Sequence, residues 1–111
     1  MGNHIQVTTT TENEKDALEI ARSIVQRRLA ACVQVVGPVT STYRWQGEVE
    51  TAREWQCQIK TRHDVYEAVE AAIVELHPYD VPEIIATEIV SASEAYGRWI
   101  DEQVDAVNGD S

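Results

Sequence analysis

The sequence predicts an α+β protein of the ferredoxin-like, split-βαβ plan: β-α-β-β-α-β with one further helix at the C-terminus. Three observations carry that prediction. Apolar residues alternate in twos, then recur in threes and fours, and the pattern repeats along the chain. Two long alternating stretches meet at Gln46-Gly47-Glu48, as the arms of a hairpin do. Pro78 and Pro82 then separate the second helical stretch from a last apolar strand.

The elements follow in order. Ile5–Thr9 is short and β-branched, a first strand. Thr11-Glu12-Asn13-Glu14 matches a capping box. Ala17, Leu18, Ala21, Ile24, Val25 and Leu29 then give one apolar stripe to a helix from Asn13 to Arg28. Ala31–Val36 is strand-like until Gly37-Pro38 interrupts it. Alternation resumes at Val39, Ser41, Tyr43 and Trp45. Beyond the turn, Val49, Thr51, Arg53, Trp55, Cys57 and Ile59 alternate with Glu50, Glu54, Gln56, Gln58 and Lys60. Thr61–Leu76 is the second helix, with Val65, Val69, Ala72, Ile73 and Leu76 on its buried side. Glu83–Val90 is the last strand, and Tyr96, Trp99, Ile100 and Val104 share one face of the last helix.

A chain of 111 residues is expected to form one domain, 1–111, with an ordered core over about 4–104 and a polar tail at 105–111. Nine Lys and Arg against 19 Asp and Glu leave a net charge of −10, which repels phosphate backbones and anionic membrane surfaces. No nucleic acid and no membrane partner is expected. No basic start with an apolar segment opens the chain, and a cytoplasmic setting is the default expectation. Cys32 and Cys57 lack CxxC spacing and read as reduced thiols. No HExxH, GxGxxG, Walker A or GxSxG motif is present. Two crossover helices cover one face of such a sheet, and the aromatic surface of Tyr43, Trp45 and Trp55 is expected to be hidden by copies of the same chain.

Five phrases then resemble one family. They are Arg28-Leu29-Ala30-Ala31-Cys32, Tyr43-Arg44-Trp45-Gln46-Gly47-Glu48-Val49, Ile59-Lys60-Thr61-Arg62, Leu76-His77-Pro78-Tyr79-Asp80-Val81-Pro82-Glu83-Ile84-Ile85, and Tyr96-Gly97-Arg98-Trp99-Ile100. Together they are similar to the CutA (CutA1) divalent-cation tolerance proteins over about His4–Asp101. The resemblance implies a ferredoxin-like protomer in a homotrimer, an architecture similar to the PII signalling proteins, a link to copper and other divalent metals, and no catalytic activity. It also implies copper ligands at a Cys ending the first strand and at a His pair before Pro-Tyr. Here Thr9 falls at or near that Cys, and Leu76 replaces the first His. One imidazole alone is a poor metal site, since copper and zinc sites usually take three or four donors.

The residues themselves nominate candidates. His77 can ligate a metal or move a proton, or it can be a helix-terminal His favoured by the dipole. Glu83, across the corner, can add a carboxylate oxygen or be an exposed strand-entry residue. Cys32 can offer a thiolate to a soft metal or lie inert among Ala30, Ala31 and Val33. Lys60 beside a helix start, with Tyr43, Trp45 and Tyr79 as walls, suits a small anion; the family places these positions near the cleft between subunits. A salt bridge to one of the many carboxylates is the structural alternative for Lys60.

The expected function is that of a non-enzymatic, trimeric divalent-cation tolerance protein. No cofactor is required; copper or another divalent metal, or a small ligand, is expected to bind weakly between subunits. A PII-like ligand-responsive adaptor is the alternative. A small-molecule enzyme with His77 as base and Lys60 as anion anchor is the third.

Overall fold

The computed structural model describes residues 3–105. Four strands form one antiparallel sheet in the order β2-β3-β1-β4: β1 His4–Thr11, β2 Cys32–Trp45, β3 Glu48–Arg62 and β4 Ile85–Glu88. Helices α1 (Glu14–Gln26) and α2 (Tyr66–Leu76) connect them, and α3 (Glu94–Gln103) closes the chain. The split-βαβ plan is therefore the observed fold, with differences of extent; β1 is longer than the expected Ile5–Thr9 and α1 shorter than the expected Asn13–Arg28. The strand β3 runs on to Arg62, and a single 3-10 turn at His63–Val65 precedes α2 where helix was expected from Thr61. The last strand keeps four residues of the expected eight, because only Ile85–Glu88 pairs with β1.

The core lies between the sheet and its helices. Ile5, Val7, Cys57 and Ile59 meet Ala17, Ile20 and Ile24 of α1, Val69 and Ile73 of α2, and Ile100 of α3. Directly opposed residues of an antiparallel pair share a face, so the pairing of Val7 with Ile59 and Val35 with Cys57 defines the helix side. The expected stripe of α1 is corrected: Ile20 replaces Leu18 and Val25, which are 50% and 39% exposed. The expected capping box is also corrected. Asn13 is the N-cap, its side chain accepting from the Asp16 amide at 2.9 Å, while the Thr11 hydroxyl donates to the Asn13 carbonyl.

At its other end α1 stops in a Schellman turn: the Arg28 amide donates to the Val25 carbonyl and the Leu29 amide to that of Ile24. Arg28 takes the left-handed φ of 60° that glycine usually supplies there. Its guanidinium holds the Asp105 carboxylate at 2.8 Å, and the Asp105 amide returns to the Arg28 carbonyl. The first residue of the expected polar tail is thus anchored; residues 106–111 of that tail lie outside the described residues.

The hairpin is one continuous pair, turned by Gln46 and Gly47, both at positive φ as a type I′ turn requires. Gly37-Pro38 does not break β2. It forms a bulge in which two residues, 37 and 38, oppose the single residue Trp55, and the Gly37–Pro38 peptide is cis. Beyond the bulge, Tyr43 pairs with Glu50 and Trp45 with Glu48. They therefore take the opposite face from Trp55, which packs against the core. The expectation of one shared aromatic surface is corrected accordingly. Over the body of the sheet, the side without helices carries Gln6, Thr8, Gln34, Gln56, Gln58 and Lys60, a hydrogen-bonding layer.

Candidate functional site

The proline corner follows α2 directly. Pro78 ends the helix, and His77 takes extended backbone with its amide still bonded to the Ile73 carbonyl. That conformation turns the imidazole inward, where it is 8% exposed. Its Nε2 lies 2.7 Å from the Thr10 carbonyl and its Nδ1 3.1 Å from the Tyr79 amide. A carbonyl only accepts and an amide only donates, so the ring is neutral, with its proton on Nε2. Both nitrogens are spent.

Tyr79 extends the same tether. Its ring packs at 4.7 Å on His77, and its hydroxyl donates to Glu54 at 3.0 Å on the outer hairpin. Burial raises the phenol's pKa first, and the carboxylates of Glu54 and Glu12 add to the rise. The His77–Tyr79 unit thus fastens the α2–β4 corner to the end of β1 and to β3. Glu83 is exposed on the far side of that corner.

The other candidates lie elsewhere. Cys32 is half-buried and opposes Lys60 across the β2–β3 ladder. Lys60 donates to the Gln34 side chain at 2.6 Å, and that bond, not a carboxylate, is its contact among the described residues. Tyr43 and Trp45 stand opposite Glu50 and Glu48, ten or more residues along β3 from Lys60, a span of roughly 30 Å at strand rise. Within one chain, then, Lys60 is not walled by Tyr43, Trp45 and Tyr79. Nor do His77, Glu83 and Cys32 form a metal cluster: His77 sits by Thr10, which opposes Gln56, while Cys32 opposes Lys60, four residues or roughly 13 Å further along β3. Among the described residues no three His, Cys, Asp or Glu side chains converge to hold an ion. The donor set of a single chain does not fit a resident metal at this corner.

The position expected to correspond to the family's Cys holds Thr9, fully buried, opposite Cys57, with its hydroxyl unpartnered. Leu76, in place of the first His, packs against the core. Cys57 donates weakly to the Ala17 carbonyl, and burial pushes its thiol up to about 11.

A pair that sequence reasoning did not single out lies at the opposite end of β1. The Nε2 of His4 is 2.9 Å from the Asp101 carboxylate on α3. His4 lines a groove of about 410 Å³ with Asn3, Ile89–Glu94, Gly97, Arg98 and Asp101. Ninety-seven residues separate the two partners, and no local spacing announces them.

Comparison with known proteins adds a family. The profile described as CutA1 divalent ion tolerance protein matches residues 5–103. Divalent-cation tolerance protein CutA of Thermus thermophilus is 41% identical, over 86% of this chain and 93% of its own length. Protein CutA of Mus musculus is 37% identical over 89% of this chain, and a chloroplastic Protein CutA of Arabidopsis thaliana is 40% identical over 86%. The matches cover 56% and 53% of the mouse and Arabidopsis proteins, so this chain spans about half of either. Among solved structures, CutA of Xylella fastidiosa superposes with a TM-score of 0.90 at 38% identity, covering 93% of this chain and 99% of that one. A periplasmic divalent cation tolerance protein CutA of Archaeoglobus fulgidus gives 0.89 at 31%, covering 92% and 99%.

Proposed function

The chain belongs to the CutA1 divalent ion tolerance family, and on that premise we propose that it is a non-catalytic protein of the response to divalent metal ions, working as a homotrimer. The observation that carries self-association is the bare side of the sheet together with the outer hairpin. From Val39 to Trp45 and from Glu48 to Glu54 the two arms pair only with each other, and Tyr43, Trp45 and Val49 are exposed there. Apolar surface on a projecting two-stranded ribbon is stabilised by a neighbour, and identical neighbours are the commonest kind.

Metal ions or small ligands bind weakly in the clefts between subunits, where Lys60 of one copy and Tyr43, Trp45 and Tyr79 of another meet. The distance between these groups within one chain supports that arrangement over a pocket inside the protomer. The protein has no catalytic step: His77, the residue that an enzyme reading needs as base, has neither nitrogen free. The setting is cytoplasmic, which two unbridged thiols suit. Among the described residues no helix is long and apolar enough to cross a membrane.

Light scattering at micromolar concentration tests the assembly, with three chain masses expected; a single chain mass refutes it. Growth of cells deprived of the protein, on graded copper and zinc, tests the role. Unchanged sensitivity to both refutes it.

A further inference from the structure

We propose that His77 is a pH-sensitive latch: when its imidazole takes a second proton it releases the Tyr79 amide and frees the proline corner from the body of the fold. The inference goes beyond the reading of metal tolerance and does not need it. It rests on which ring nitrogen donates and which accepts.

The corner has few other ties. From Pro78 to Glu83 the backbone belongs to no helix or strand, and Pro78, Asp80, Val81 and Glu83 are exposed. Among the described residues this stretch makes two hydrogen bonds, both through Tyr79. The Tyr79 amide donates to His77 Nδ1 at 3.1 Å, and its hydroxyl donates to Glu54 at 3.0 Å.

The two nitrogens of the imidazole answer a proton differently. Nε2 donates to the Thr10 carbonyl at 2.7 Å, and that bond survives protonation. Nδ1 accepts the Tyr79 amide on its one lone pair. A proton at Nδ1 takes that lone pair and sets two N–H donors against each other. The ring is buried, so water does not replace the lost partner while the corner stays in place. Protonation and the Tyr79 bond therefore exclude one another. The closed corner binds one proton fewer than the open one, so its hold is intact while the ring is neutral and is lost as pH falls.

Titratable groups face the ring, and the phenol packed on it, from several elements. They are Tyr79 of the corner at 4.7 Å, Glu54 of β3, Glu12 before α1 and Tyr43 of β2. From α2 and β1 the neighbours are the carbonyls of Ile73 and Thr10. Asp80 and Glu83 lie along the corner itself. All of these are phenols, carboxylates or carbonyls, and none repels an imidazolium. Opening frees the Tyr79 ring, and with it the corner's tie to Glu54 on the outer hairpin. A change of charge at a buried imidazole is passed in this way to an exposed segment.

The test is ¹⁵N NMR of the imidazole nitrogens in the full chain, joined to hydrogen exchange of the Tyr79 amide. The scan runs from about pH 8 to about pH 5, the range in which histidine alone among unperturbed side chains changes charge. At the alkaline end the proton of His77 should sit on Nε2. As Nδ1 gains its proton, the Tyr79 amide should lose about tenfold in protection relative to its intrinsic exchange rate, with the same midpoint. His77→Gln keeps a donor and an acceptor but does not titrate, so its Tyr79 amide should hold constant protection. Glu54→Gln should keep the wild-type response, which separates the imidazole from the carboxylate. Three results overturn the proposal: an imidazole still neutral at the acid end, a protonated one with the Tyr79 amide as protected as before, or unfolding of the whole chain before Nδ1 gains its proton. The wild-type scan decides it even if His77→Gln folds poorly. None of these results depends on metal tolerance or on the number of chains, so the latch and the reading of function fail separately.

Discussion

The indole of Trp55 lies against Gly37 so closely that a methyl group on Gly37 would stand 2.5 Å from its Cδ1 and 3.1 Å from the Trp55 Cα. The bulge in β2 exists beside a large ring, and the two features occupy one space. Gly37→Ala should therefore cost about 1–3 kcal/mol, the usual range for forced overpacking. Urea unfolding measures it. A change below about 0.5 kcal/mol would mean that the indole swings aside freely.

His77 is the second test. Removing its ring leaves the Thr10 carbonyl and the Tyr79 amide without their partners and empties an enclosed site. His77→Ala should lose about 2–4 kcal/mol. The Tyr79 amide should also exchange with solvent much faster, by hydrogen-exchange NMR. A stable variant with a protected Tyr79 amide would show that the corner is held by Pro78 and Tyr79 without the ring.

Thr9 points the other way. Its hydroxyl is buried and unpartnered opposite Cys57. Thr9→Val keeps the branched shape and removes that polar atom, so a gain of about 1 kcal/mol is expected. Thermal unfolding of the pair of proteins reads the difference. A loss instead would mean that a water reaches the hydroxyl.

Alkaline stability follows from Cys57. Its thiol is raised by burial from 9.0 to about 11, so the folded chain holds that proton more tightly than the unfolded chain. The associated stability is intact below pH 9 and is lost as pH climbs through about 11. Its upper bound is about 3 kcal/mol, at about 1.4 kcal/mol per tenfold in the ionisation constant. Burial raises the Tyr79 phenol in the same direction. Unfolding free energy should be flat approaching pH 9 and then fall, with a shallower fall in Cys57→Ala. At neutral pH, alkylation should label Cys32 and spare Cys57 until the chain unfolds; equal labelling would refute the buried thiol.

Much of the architecture was legible because each strand carries its own alternation and each break its own turn residue. The long hairpin, the second helix and the Pro78 stop all follow from local chemistry. What failed was phase. Helix α1 has more apolar positions than one face can bury, so Leu18 and Val25 read as core while Ile20 took the place. Thr11 and Asn13 both suit a cap, and spacing alone does not choose between them. The site was less legible still. The imidazole at 77 was visible, but its acceptor is Thr10, 67 residues earlier, and that bond turns a candidate ligand into a structural tie. The Asp101 that holds His4 is further away again.

The bulge at residues 37 and 38 absorbs one extra residue of β2 without disturbing β3, whose unbroken alternation sets the face of the distal ribbon. Deleting one of the two would make the ladder one-to-one and leave Tyr43 opposite Glu50 and Trp45 opposite Glu48. The surface that the ribbon offers to another molecule is therefore fixed by β3 and by the turn at Gln46 and Gly47, and a change of length at the bulge spares it.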